Sequence, residues 1–213
     1  MAQELRRTRL TPDERRAQLV ALGVAALADR SLEAVSIEGI SKQAGVSKGL
    51  FFYHFGSKQG FHREIVRAAR DSMLHATEPS PDVPPGERLR STLARTVRFA
   101  REHESTFYSL VRGTASGDAE VREVIEQARA AQAERVFVLF SELGMPDSNL
   151  LRVALRSWVA FAEQTLVDGA LKTEMPDDEI VAFLSNTLVA IVGAADPANA
   201  TIVEGLHANA AVT

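Results

Sequence analysis

Val46 to Phe61 reads VSKGLFFYHFGSKQGF, and Ser36 to Gly45 ahead of it reads SIEGISKQAG. Two short helical patterns meet at Ala44-Gly45-Val46-Ser47. Gly45 admits a left-handed turn that a β-carbon would resist. Ser47 offers its hydroxyl to the open amides of the second helix. Ile37, Ile40, Val46, Phe51 and Phe55 then bury a shared face. This is a helix-turn-helix pattern over residues 36–55. The other face of its second helix carries Lys48, Gly49, Leu50, Tyr53 and His54: a cation, a gap, an apolar contact and two rings with polar tips. A helix of this size fits the major groove of DNA, and paired modules read half-sites about one helical turn apart.

Working outward, the pattern stays helical. Thr11-Pro12-Asp13-Glu14 predicts a helix start, with Thr11 as N-cap, Pro12 in the first turn and Glu14 closing a capping box. Leu19, Leu22, Gly23, Ala26 and Leu27 follow at the spacing of one helical face. The helix ends at Asp29-Arg30-Ser31. On the other side, Gly56-Ser57 breaks the chain and Ser57 caps a longer helix through His75. Pro79 to Gly86 then holds four of the chain's eight prolines, and helix cannot continue through it. Beyond this linker, helical stretches run from about Glu87 to Glu104, Asp118 to Leu143, Ser148 to Thr173 and Pro176 to Ala195, with a short one over Thr106 to Arg112. No stretch alternates apolar and polar residues over a strand's length. The β-prone run Val136 to Phe140 lies inside a helical pattern. The expected fold is all-α, with an N-terminal three-helix domain over residues 13–73 and a second helical domain over 86–195.

Composition narrows the function classes. The chain has 213 residues, no cysteine and a net charge of −4. Disulfide frameworks, thiolate metal sites and thiol nucleophiles are therefore excluded. Residues 1–75 hold 12 Lys+Arg against 8 Asp+Glu, a net of +4, and residues 76–213 hold 12 against 20, a net of −8. A basic first third on an acidic remainder fits a nucleic-acid-facing module on a neutral-to-acidic body. The opening MAQELRRTRL has no apolar segment behind its basic residues. The uncharged run Ile180 to Ala195 is too short and too polar for a membrane span. The expectation is a cytoplasmic protein that engages no membrane, and Asn199-Ala200-Thr201 is a glycosylation triplet by spelling alone.

Enzyme signatures are missing. There is no G-x-S-x-G, no phosphate-binding glycine loop and no H-E-x-x-H. The five histidines (54, 62, 75, 103 and 207) lack metal-ligand spacing. His62 and Glu64 stand two residues apart, on different faces of a helix. Asp177-Asp178-Glu179, just after Pro176, matches a first-turn dipole. We expect no catalytic residue, no metal and no cofactor.

Val46 to Phe61 resembles the recognition helix and following turn of the tetracycline-repressor (TetR) family, whose pattern reads approximately V-S-x-G-x-[aliphatic/Phe]-Y-x-[HY]-F-x-[SN]-K. Val46, Ser47, Gly49, Phe51, His54, Phe55, Ser57 and Lys58 match it, and the resemblance covers about residues 13 to 73. Three positions depart. Phe52 stands where the family usually has a tyrosine that reaches a phosphate, so it can pack on sugar but not donate. Ser41 replaces a common alanine, and Ser31 stands near a common glycine. The resemblance implies that Lys48 and Tyr53 meet base edges, that Gly49 allows close approach and that Leu50 meets a thymine methyl. It makes Ser36, Ser47, His54 and Lys58 phosphate contacts. Arg6, Arg7 and Arg9 read either as a minor-groove arm or as a solubilising tail, and we favour the tail.

For the C-terminal domain the resemblance implies a homodimer and a small-molecule pocket. Stripes at helical spacing nominate Leu155, Ala162 and Leu166 with Phe183, Leu184, Thr187, Leu188 and Ile191 for a four-helix dimer interface; the same residues could instead form an intramolecular core. Pocket candidates are Phe99, His103, Phe107, Tyr108, Arg112, Phe137, Phe140, Trp158, Phe161 and Glu163. The implied function is a sequence-specific DNA-binding transcriptional regulator, a repressor that holds a palindromic double-stranded operator as a homodimer and releases it when an effector shifts the helix that starts at Ser57. Two rivals stand beside it: a DNA-binding regulator without a ligand, and a helical enzyme or carrier with a vestigial helix-turn-helix.

Overall fold

The computed structural model describes residues 10–112 and 117–199. Among them, nine α-helices run in order: α1 Pro12–Ala26, α2 Ile37–Ala44, α3 Lys48–Phe55, α4 Lys58–Ala76, α5 Pro85–Glu102, α6 Glu104–Arg112, α7 Ala119–Glu142, α8 Asn149–Thr165 and α9 Asp177–Ala195. No strand is found among the described residues, so the fold is all-α. Arg6, Arg7, Arg9, His207 and the end of the Asn199-Ala200-Thr201 triplet lie outside the described residues.

Local chemistry sets the helix starts. Thr11 Oγ1 accepts from the Glu14 amide at 3.2 Å while Glu14 Oε2 accepts from the Thr11 amide at 2.7 Å, a reciprocal capping box. Ser36, Ser47 and Ser57 accept from the amides of Gly39, Leu50 and Gly60 at 3.0, 3.1 and 3.0 Å. Gly45 closes α2 at φ 68°, the left-handed conformation that favours glycine. One stretch departs from the sequence expectation. The helix anticipated from Ser148 to Thr173 becomes π-helical over Leu166–Leu171. Apolar periodicity of 3.6 residues does not register one wider turn.

Packing makes α4 the shared element. It packs on α1 and α3 at one end, and on α5, α6 and α7 further along. Phe51 and Phe61 are fully buried with ring centroids 4.8 Å apart, and the Phe55 ring lies 4.8 Å from that of Phe61. This aromatic cluster bolts α3 to the start of α4. Gly60 makes the closeness possible, because a β-carbon there would strike the Phe55 carbonyl. A chain of ion pairs crosses from α1 through α4 to α7. Arg16 meets Glu64 at 2.7 Å, Glu64 meets Arg67 at 2.6 Å, and Arg63 meets Asp118 at 2.9 Å and Glu120 at 2.7 Å. On the other flank, Ser105 Oγ donates to the Ala28 carbonyl at 2.9 Å, tying α6 to the end of α1. In the body, α5 packs on α9, and α8 lies between α7 and α9.

Candidate nucleic-acid interface and effector cavity

The helix-turn-helix presents α3 outward. Phe51 and Phe55 turn into the core, and most of the rest of the helix faces outward. Tyr53 is 77% exposed, Phe52 43% and Leu50 38%. Lys48 and Gly49 are also exposed, and His54 is half-buried. Large apolar and aromatic groups standing free on a short helix are unusual on a surface that meets only water. Lys48 Nζ lies 3.3 Å from Glu38 Oε2 on α2, an exposed pair that steers the cation and contributes little energy. The hydroxyls of Ser36 and Ser47 accept from their helix amides, which leaves their protons free to be donated to phosphate. Lys58 Nζ donates to the Glu33 carbonyl at 2.7 Å and holds the short 3-10 turn Leu32–Ala34 against α4. Two of its three donors remain. Nearby, burial and then the Lys58 charge hold the His62 imidazole below its ordinary pKa.

The body contains two adjoining pockets, an outer and an inner chamber. The outer one, of about 400 Å³, is walled by α5 and α7, with Arg88, Thr92, Gln132 and Arg135 among its lining. The inner one, of about 80 Å³, reaches Met73 of α4, Phe107 of α6, Trp158 and Glu163 of α8, and Leu184 of α9. The chambers share Leu89, Thr92, Gln132 and Val136 as walls. Inside, Glu163 accepts from Arg129 Nε at 2.7 Å. Burial pushes the Glu163 carboxyl up, with the Arg129 bond opposing it. Trp158 Nε1 donates to Thr187 Oγ1 at 3.2 Å, which fixes the indole on the wall.

Comparison with known proteins settles the lineage. The profile of "Bacterial regulatory proteins, tetR family" matches residues 19–69, and that of "Tetracyclin repressor-like, C-terminal domain" matches residues 85–191. The chain belongs to the TetR family. It is 36% identical over 180 residues to the HTH-type transcriptional repressor KstR2 of Mycolicibacterium smegmatis, covering 83% of this chain and 77% of that one. It is 28% identical over 180 residues to the HTH-type transcriptional activator FasR of the same species, covering 82% and 80%. A crystal structure of a TetR-family transcriptional regulator from Streptomyces coelicolor superposes with a TM-score of 0.78 at 25% identity, covering 93% of this chain and 90% of that one. The protein is thus a DNA-binding transcriptional regulator.

The structure sorts the residues nominated from sequence. Of the nine DNA-facing candidates, Lys48, Gly49, Leu50, Phe52, Tyr53 and His54 lie on α3, Ser36 and Ser47 cap α2 and α3, and Lys58 is the first residue of α4. Of the pocket candidates, Phe107, Trp158 and Glu163 line the inner chamber. The others go elsewhere. Phe99 and Phe140 are packed in the core. His103 is exposed at the end of α5, with its ring 4.7 Å from that of Phe99. Tyr108 is exposed beneath Arg112 at 5.3 Å, and Phe137 lies under Arg152 at 4.0 Å. Phe161 points away from the cavity, 5.9 Å from Phe183. Aromatic content marks burial and cation stacking as readily as a cavity wall, so these five aromatics and the two polar neighbours, His103 and Arg112, do not line either chamber.

The dimer candidates divide in the same way. Leu155, Ala162, Leu166, Leu184 and Leu188 are buried within the one chain, and Thr187 and Ile191 are half-buried. Phe183 alone of that set is exposed. The outward face is a different set: Leu150, Val153 and Phe161 of α8 beside Phe183 of α9, exposed by 58, 61, 39 and 49%. The most hydrophobic stripe of each helix is the one its own core takes. Sequence reading also passed over Arg129, Gln132 and Arg135, which look like solvated positions on a long polar helix, and Glu38, whose partner stands ten residues away across a turn.

Proposed function

We propose that the protein is a homodimeric, effector-responsive repressor that holds a palindromic double-stranded operator through α3. The exposed face of α3 carries this reading. Tyr53 and Lys48 are positioned to meet base edges, Leu50 to meet a thymine methyl, and Gly49 to let the backbone close in. Ser36, Ser47, His54 and Lys58 supply phosphate contacts around it, with Phe52 against sugar. The apolar strip of α8 and α9 closes a four-helix bundle with a second copy, and this sets two copies of α3 at successive major grooves. Asp177–Ala195 is long and apolar enough by composition to cross a membrane. Its inner stripe packs on α5 and α8, however, and its outer stripe is the surface assigned here to the second copy.

Residues 13–73 then act as the DNA-binding domain and residues 86–195 as the regulatory one, in a cytoplasmic protein that catalyses no reaction. The effector enters the two-chambered cavity and moves α4, which touches both domains. A coupling of roughly 1–3 kcal/mol between the two sites is enough for a usable switch. The test is a selection of genomic fragments bound by the purified protein at fixed salt with non-specific competitor, paired with sedimentation of the free and DNA-bound protein. Recovery of one motif with two inverted half-sites, bound by a dimer, is the expected result. Fragments with no shared motif would overturn the reading. A reporter fused to the recovered promoter gives the sign of regulation.

A further inference from the structure

Arg135 projects from α7 into the outer chamber, half-buried. Among the described residues, every other charged group lining the two chambers is matched by an opposite charge. Arg88 meets Glu142 at 2.8 Å, Glu134 meets Arg152 at 3.2 Å, and Glu163 meets Arg129. The partners of Arg135 are neutral. Nη2 donates to the Leu74 carbonyl at 2.9 Å, and Nη1 reaches Thr77 O, Thr77 Oγ1 and Gln132 Oε1 at 3.5, 3.4 and 3.4 Å. The acid that acts on it from a distance, Glu78, is exposed and stands 3.8 Å from His75. Burial lowers the Arg135 pKa, the mark of a cation whose desolvation is incompletely offset.

The same side chain closes α4. Leu74 lies in its last turn and Thr77 is its C-cap, where carbonyls lack helical partners and a cation matches the helix dipole. An anion entering the chamber would therefore compete with the end of α4 for one guanidinium. A carboxylate on arginine makes shorter and stronger bonds than a carbonyl does. The apolar walls beyond, from Leu89 and Val136 to Trp158, suit a hydrocarbon body.

Resting on the effector-responsive reading above, we propose that the effector is an amphipathic anion, with its apolar body toward the inner chamber and its head group on Arg135. It acts by drawing Arg135 off the carbonyls that close α4. Its affinity for the released arrangement shifts the population, and the start of α4, joined to α3 through Phe55 and Phe61, carries the change to the DNA face.

Three probes of one chain length test this on the full-length protein: octanoate, 1-octanol and octylamine, titrated below their aggregation limits by calorimetry. Octanoate should bind at least about tenfold more tightly than the other two. Arg135→Gln should abolish that preference while leaving octanol binding unchanged, and Arg135→Lys, which keeps the charge, should retain most of it. Octanoate should also weaken binding of the genome-selected fragment, and ligand-free Arg135→Gln, checked for native helicity, should bind that fragment more weakly than wild type. Equal binding of octanol or octylamine, a preference that survives Arg135→Gln, or no binding by any probe overturns the assignment. If octanol or octylamine is preferred and releases the DNA, the effector reading stands and the anion class falls. If octanoate binds through Arg135 and leaves DNA binding unchanged, the α4 mechanism and the effector reading both fall.

Discussion

Ser41 sits on α2 at 4% exposure with a hydroxyl that has no hydrogen-bond partner among the described residues. A buried unpartnered hydroxyl costs folding free energy, so Ser41→Ala should stabilise the protein by about 1 kcal/mol, read as a raised thermal midpoint. On the outward side, Tyr53→Ala or Lys48→Ala should lower discrimination between the operator and random DNA by roughly 1–3 kcal/mol. Lys58→Ala should act differently. It should weaken all sequences alike and flatten the salt dependence, and it should also lower stability because the Leu32–Ala34 turn loses its fastening. Competition binding and thermal melts on the same variants separate these effects. Residues whose jobs are local were legible in the sequence: the serine caps, the Thr11–Glu14 box and Gly45 act within four positions. Lys48 on Glu38 and Lys58 on Glu33 were not, because each bond spans a turn that only the assembled fold closes.

At the scale of elements, α4 is the helix that packs against α1 and α3 as well as α5, α6 and α7. Its clasp to α7 centres on Asp118, which also caps α7 through the amides of Glu120 and Val121. Burial pushes the Asp118 carboxyl up, but the Arg63 bond and the two amides outweigh this and leave it below its ordinary value. A lowered carboxylate contributes stability above its unfolded pKa and loses it as pH falls through the folded value. Asp118→Asn should therefore melt below wild type at neutral pH, with the gap closing as pH drops below about 4. Melting curves of both proteins across that range check it. Helix existence was legible from apolar periodicity throughout. Which stripe of α8 and α9 faces the core was not. Both helices are apolar on two sides, and the inner stripe Leu151, Leu155, Ala162 differs from the outer Leu150, Val153, Phe161 only by rotation. The cavity walls were opaque for a related reason: Gln132 and Arg135 are polar residues turned inward.

For the whole molecule, the function proposed here requires two copies of α3 held at a fixed separation. The exposed strip around Phe161 and Phe183 is the surface we assign to that task. Replacing both with glutamate places like charges against each other across a symmetric interface. The double variant should sediment as a monomer at concentrations where wild type is a dimer, and its affinity for a two-half-site fragment should collapse toward that for a single half-site. Charge and linker support the division of labour proposed here: a basic first third, a proline-rich break and an acidic helical remainder. The central claim is that α3 reads sequence through Tyr53 and its neighbours. It is tested most directly by titrating wild type and Tyr53→Ala against the selected palindrome and a scrambled copy at one salt concentration, by fluorescence anisotropy. We expect wild type to prefer the palindrome strongly and Tyr53→Ala to keep its scrambled-DNA affinity while losing about tenfold or more of that preference. An unchanged preference in Tyr53→Ala would contradict the assignment of α3 as the reading helix.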